Sequence, residues 1–158
     1  MAEALSQEII DLINAQCDKS FTAYKNEATP EQIQLRSQYV QEMAGDEEKK
    51  AAAMAEVSQW FTTADANGDG RLDRDEYFAF CDLANAKTAE LGHFTGSQEM
   101  RNETQAGFYQ AGNSIDPNND GISMAEMMMV MGVAMKKSME LRAAYEAEQA
   151  QWAFSEKI

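Results

Sequence analysis

Apolar residues recur along this chain every three or four positions and nowhere alternate over a strand-length run, so the pattern predicts helices throughout. Leu5, Ile9, Leu12 and Ile13 share one helical face and predict an amphipathic helix over about residues 3–16. Thr29-Pro30-Glu31-Gln32 then supplies a capping Thr, a first-turn Pro and a Gln three residues on. It starts a second helix that carries Ile33, Tyr39, Val40 and Met43 and ends at Gly45. Asp46, Glu47 and Glu48 place acids at the start of a third, which runs through Met54 and Val57 to Trp60 and Phe61. The pattern breaks over 65–70 and resumes with Tyr77, Phe78, Phe80, Cys81 and Leu83. A linker over 92–96 precedes a helix over about 97–112 bearing Met100, Phe108 and Tyr109. After a second Gly- and Asx-rich break over 113–121, a long helix is expected from Ser123 towards Trp152.

The predicted fold is therefore all-α: two helix-loop-helix units, additional N-terminal helices and a long C-terminal helix. The organisation reads as an N-terminal helical region over 1–45 packed on the paired units over 46–158, together one compact domain. Leu141, Tyr145 and Trp152 are spaced by four and seven, which makes one helical stripe. A stripe ending in Trp is costly to leave in water, so residues 138–156 are expected to fold back onto the paired units or the first helix.

Composition narrows the function. The chain has 158 residues, 13 Lys plus Arg against 27 Asp plus Glu, and a formal charge of −14. A nucleic-acid partner would need a basic patch to neutralise phosphates, and the sequence holds none. No stretch approaches the roughly eighteen apolar residues of a membrane span. Glu3, Glu8 and Asp11 stand where a secretory signal would need a basic segment, so a cytoplasmic, monomeric protein is expected. Cys17 and Cys81 are far apart in sequence and read as reduced thiols, and the single His93, between Gly92 and Phe94, reads as a loop residue. With no nucleophile-base set, phosphate loop or zinc-ligand cluster, no enzyme activity is expected.

The chemistry lies in the loops. Residues 65–76 read DANGDGRLDRDE and place oxygen side chains at positions 1, 3, 5, 9 and 12 of a twelve-residue loop. A hard cation such as Ca2+ takes six to eight oxygens at about 2.3–2.6 Å. Asp65, Asn67, Asp69, the backbone carbonyl of Arg71, Asp73 directly or through water, and both oxygens of Glu76 meet that need. Gly70 at position 6 allows the positive φ that turns the chain round the ion, and Leu72 at position 8 can join a short strand with a sister loop. This loop, with its flanking helices, resembles the EF-hand calcium-binding family at every signature position.

The second break is less regular. From Asp116, the residues Asp116, Asn118, Asp120 and Gly121 match positions 1, 3, 5 and 6, but Glu126 then falls at position 11. Phased on the flanking aromatics, Trp60-Phe61 before Asp65 and Phe108-Tyr109 before Asn113, the loop starts instead at Asn113 and Glu126 becomes position 14. From the other end the registers agree, since Leu72 and Ile122 each precede a Glu by four. The second reading resembles a lengthened pseudo-EF-hand that keeps its closing Glu. It implies a second, weaker Ca2+ site at Asp116, Asn118, Asp120 and Glu126, with Asn113 as a further oxygen, against the alternative of a metal-free loop that serves only to pair with the first.

Seven of the eleven methionines fall between Met124 and Met139. Met127, Met128, Met131 and Met135 at helical spacing suit a core; the same flexible side chains also suit a groove that repacks around a target helix. Two functions follow: a compact calcium buffer or modulator, resembling sarcoplasmic calcium-binding proteins, with its groove filled by its own helices, or a calcium sensor that opens a Met-rich groove to a target protein.

Overall fold

A helix leaves its first backbone N–H groups without partners, and this chain answers them with short polar side chains at each helix start. The structure, a computed structural model, describes residues 5–115 and 121–156, with side chains through residue 148. Ser6 accepts from the Ile9 N–H at the head of α1 (Gln7–Glu27). Thr29 and Gln32 form a reciprocal capping box on α2 (Pro30–Ala44), and Asp46 accepts from Glu48 and Lys49 on α3 (Glu47–Ala64). Asp73 and Glu76 make the same box on α4 (Arg74–Glu90), and Ser97 caps α5 (Gln98–Asn113). At the head of α6 (Met124–Glu156), Ser123 Oγ accepts from the Glu126 N–H while Glu126 Oε1 accepts from the Ser123 N–H. Each such cap contributes about 1 kcal/mol.

The described residues are thus helical apart from their connections and two short strands, β1 (Arg71–Leu72) and β2 (Ile122–Ser123). The strands pair antiparallel, with Arg71 opposite Ser123 and Leu72 opposite Ile122. This is the register obtained by counting back four residues from each Glu. Leu72 and Ile122, at 0% and 1% exposure, fix the ribbon to a core of Phe61, Ala64, Tyr77, Phe80 and Met127. Full burial of a Leu or Ile stabilises by about 1.5–3 kcal/mol, so this pair is a main tie between the two helix-loop-helix units, α3–β1–α4 and α5–β2–α6.

A second core joins α1 to α5 and α6 through Ile13, Cys17, Ala111 and Val130, with Leu12, Phe108 and Leu141 against it. The approach is close: a Cβ on Gly107 would meet the amide end of the Gln16 side chain at 2.2 Å, so that amide packs directly over the glycine. Lys137 of α6 reaches Asp18 of α1 at 3.8 Å, and Tyr145 meets Phe21 edge-on at 5.9 Å between centroids.

Two expectations are corrected. The first helix does not end near residue 16; α1 continues to Glu27 because nothing before Thr29-Pro30 interrupts it, and Phe21 and Tyr24 extend its packed face. The tail packs on the first helix as expected but without folding back: α6 is one helix of 33 residues that passes through Gly132 without a break. Its Leu141 and Tyr145 reach α1 by running alongside it. The side chain of Trp152 lies outside those described. Of the methionines, Met127 is buried and Met124 and Met131 pack on the same core, whereas Met135 and Met139 are each 61% exposed. Met135 is therefore not core: α6 turns that face away from both clusters.

Candidate metal centre

The first loop wraps on itself through its own side chains. Asp65 Oδ2 accepts from the Gly70 N–H at 2.8 Å, Asn67 Oδ1 from Asp69 at 3.2 Å, and Asp69 Oδ1 from Arg71 at 2.9 Å. These bonds turn the side-chain oxygens inward, and Gly68 and Gly70, at φ +69° and +79°, take the left-handed conformations the wrap requires. Glu76 closes the loop from α4: Oε2 accepts from the Ala66 N–H at 2.9 Å and Oε1 from the Asp73 N–H at 3.0 Å. Carboxylate oxygens of Asp65, Asp69 and Glu76 come within 4.8 Å of one another. Among them Asp65 Oδ1 is buried and has no hydrogen-bond partner. A buried carboxylate oxygen with neither donor nor cation is costly, so this atom marks where a cation would be accommodated.

The other residues expected in this loop are placed less directly. Asn67 spends its Oδ1 on the turn, and Asp73 spends Oδ1 on the Glu76 N–H as the cap of α4. Arg71 sits on β1, next to the carboxylate cluster. Burial, with Asp73 and Glu76 nearby, raises the Tyr109 hydroxyl pKa, so that side chain borders the loop as a neutral phenol.

The second loop is built on the same plan to a different end. Asn113 Oδ1 accepts from the Gly121 N–H at 2.9 Å, as Asp65 does from Gly70. Glu126 Oε1 accepts from the Ser123 N–H at 2.8 Å, as Glu76 does from Asp73. Asp116, Asn118 and Asp120 lie outside the described residues. Glu126 has a partner that Glu76 lacks: Arg71, reaching from the first loop, donates Nη1 to Glu126 Oε1 at 3.3 Å and to the Gly121 carbonyl at 3.5 Å.

Comparison with models of protein families, with curated proteins and with solved structures finds no match. The arrangement must therefore be read from its own chemistry. The first loop gathers carboxylates with one oxygen unanswered, and the second answers its closing carboxylate with a guanidinium.

The expected role of Arg71 was its main-chain carbonyl alone, whereas its side chain reaches the second loop. The signal was weak but present, because Arg71 lies opposite Ser123 once the ribbon register is drawn, and Ser123 is three residues from Glu126. The brace from Asn113 to Gly121 was foreshadowed by phasing on the aromatics of the incoming helices. No helix among the described residues is long and apolar enough to cross a membrane.

Proposed function

We propose that the two helix-loop-helix units form an EF-hand pair and that the protein is a cytoplasmic, monomeric calcium-binding protein of the buffer or modulator type. The observation that carries this reading is the unpartnered, buried Asp65 Oδ1 beside the carboxylates of Asp69 and Glu76. Asp65, Asn67, Asp69, the Arg71 carbonyl, Asp73 and Glu76 hold the first Ca2+. A second, weaker ion uses Asn113, Asp116, Asn118, Asp120 and Glu126, with Asn113 as the loop's first residue because its bond to Gly121 repeats that of Asp65 to Gly70. That ion must displace the Arg71 guanidinium from Glu126, which lowers its affinity. The buffer reading is supported by α1, which already covers α5 and α6 through Ile13 and Cys17.

Calorimetric titration with Ca2+ tests the assignment. Glu76→Gln should remove the tight site, weakening it on the order of a hundredfold or more, since it loses one charge of a bidentate ligand. Unchanged stoichiometry and affinity in that variant would refute the site. The alternative, a sensor that presents a Met-rich surface to a target helix, draws on the exposed Met135 and Met139. An uncharged apolar dye separates the two: a sensor binds more of it in Ca2+, whereas a buffer does not.

A further inference from the structure

A cavity of about 380 Å³ lies among α1, α2, α4, α5 and α6, bordered also by the connection between α4 and α5, and its lining contradicts the character of the rest of the chain. The protein has 27 acidic residues, yet among the described residues no acid lines this cavity, while Arg36, Arg101 and Arg142 all do. Arg101 is tied down, donating to the Gly96 carbonyl and to Gln98 Oε1. Arg36 and Arg142 are not: among the described residues neither makes an ion pair, and Arg142 Nη1 is buried with no hydrogen-bond partner. Each lies over an aromatic ring, Arg36 over Tyr39 at 5.7 Å and Arg142 over Tyr24 at 5.9 Å. Burial and the neighbouring Arg142 pull the Arg36 pKa down, as two like charges in a half-buried place must.

Two further polar groups face the same space without partners, Nδ1 of His93 and Oε1 of Gln105, on side chains only 7% and 6% exposed. Burial, with Arg36 and Arg142 adding to it, lowers the His93 pKa, so its ring is neutral at neutral pH and can exchange a hydrogen bond without adding charge. The remaining wall mixes the apolar side chains of Phe21, Phe94, Met100 and Phe108 with uncharged hydroxyl and amide groups. Two guanidiniums without an ion pair among the described residues, set among aromatic rings, form an amphipathic receptacle. A guanidinium fork matches a carboxylate in shape and charge, and a cavity of this size is within the range of small-molecule sites.

We propose that this cavity binds a small organic carboxylate with an apolar body, its head held by Arg36 and Arg142 and its tail lying against Phe94 and Phe108. The anion neutralises the paired cations, and its apolar part covers the aromatic wall. The inference does not depend on the calcium reading, since none of the loop residues takes part.

The test is calorimetric titration of the full chain with octanoate, octanol and inorganic phosphate, in chelator so that no cation site contributes. Octanoate should bind saturably to one site and at least roughly tenfold more tightly than either octanol, which lacks the charge, or phosphate, which lacks the apolar body. This comparison needs no variant. Arg36→Met and Arg142→Met should each weaken octanoate at least roughly tenfold. Each should also leave the ligand-free melting temperature unchanged or raise it, because each removes one of two mutually repelling charges; a purely structural arginine would instead lower it. Octanol binding as well as octanoate would reduce the cavity to an apolar hole and overturn the proposal. Phosphate binding as tightly as octanoate would overturn the organic ligand. No saturable heat, or full octanoate affinity in the double variant, would overturn the site.

Discussion

The two loops share a scaffold and differ in what satisfies the glutamate that closes each. Both Glu76 and Glu126 cap their own helix by accepting from a backbone N–H three residues before them. Glu76 then reaches back across its loop to Ala66, beside a carboxylate oxygen that nothing answers; Glu126 meets the guanidinium of Arg71. One loop leaves a buried carboxylate oxygen unanswered, and the other holds a guanidinium supplied by the chain. The difference shows that a shared backbone frame leaves the charge state of a site open, and that a single long side chain crossing the ribbon can set it.

The largest expected effect separates a bound ion from none. If the first loop holds Ca2+ as proposed, a hundredfold excess over its dissociation constant should stabilise the fold by about 2.7 kcal/mol, which for a chain of this size should raise the melting temperature by about 5–10 °C relative to chelator. Two ions bring the formal charge from −14 to −10, which adds relief of acidic self-repulsion in the same direction. Equal melting temperatures in the two conditions would remove the distinction between the loops altogether.

Next in size is the contrast between the loop glycines. Gly121 has φ +108°, and a Cβ there would sit 2.8 Å from the Leu72 carbonyl oxygen; Gly70 has φ +79° but open space around it. Gly121→Ala should cost about 2 kcal/mol in urea unfolding and Gly70→Ala about 1 kcal/mol, because only the former adds a collision with the opposite strand to its backbone strain. Equal losses would mean that the ribbon yields freely.

Arg71→Gln addresses the comparison directly. The substitution keeps the main-chain carbonyl for the first loop and withdraws the guanidinium from the second, so the weak ion should bind about tenfold more tightly while the tight one is unmoved. No second ion bound in this variant would show that the second loop is metal-free for reasons other than Arg71.

The smallest effect on stability concerns the turns that follow the closing glutamates. Cys81 of α4 and Met131 of α6 each lie five residues beyond their Glu and pack on the same core. Burial, opposed only by a hydrogen bond with Tyr77, pushes the Cys81 thiol pKa from 9.0 up to about 12. Alkylation at pH 8 should therefore be slower than for a free thiol by about a thousandfold from ionisation alone. Because the folded value is the higher one, the buried thiol costs no stability below about pH 9, and stability is lost as pH rises from there towards 12. Replacing Cys81 with Ser should flatten that alkaline loss, read from melting temperature against pH.

Much of this arrangement is written locally. The caps Thr29, Asp46 and Ser97 precede their helices by one residue, and the ribbon register follows from counting back from two glutamates, because both depend on short-range spacing. The carboxylates of the first loop are legible for the same reason, since all of them fall within twelve residues. What escapes such reading is what the fold brings from afar. Arg71 meets Glu126 across 55 positions, and Arg36 and Arg142 share a cavity from α2 and α6; no periodicity records either pairing. The length of α1 was missed because amphipathic spacing weakens after Ile13, while the residues that follow still favour helix and find aromatic contacts only in the folded chain.

The unbroken length of α6 has a mechanical consequence. Its 33 residues make a rod of about 50 Å, so a tilt of about 10° at the ribbon would sweep its far end through roughly 9 Å. A rod of that kind is a lever, and α1 lies along it as a splint: Cys17 Sγ approaches the Ala134 carbonyl at 3.6 Å, Lys137 engages Asp18, and Tyr145 rests on Phe21. Any large swing of the lever must first peel α1 away, so the gearing between the second loop and the distal end of α6 is held by a helix that belongs to neither loop.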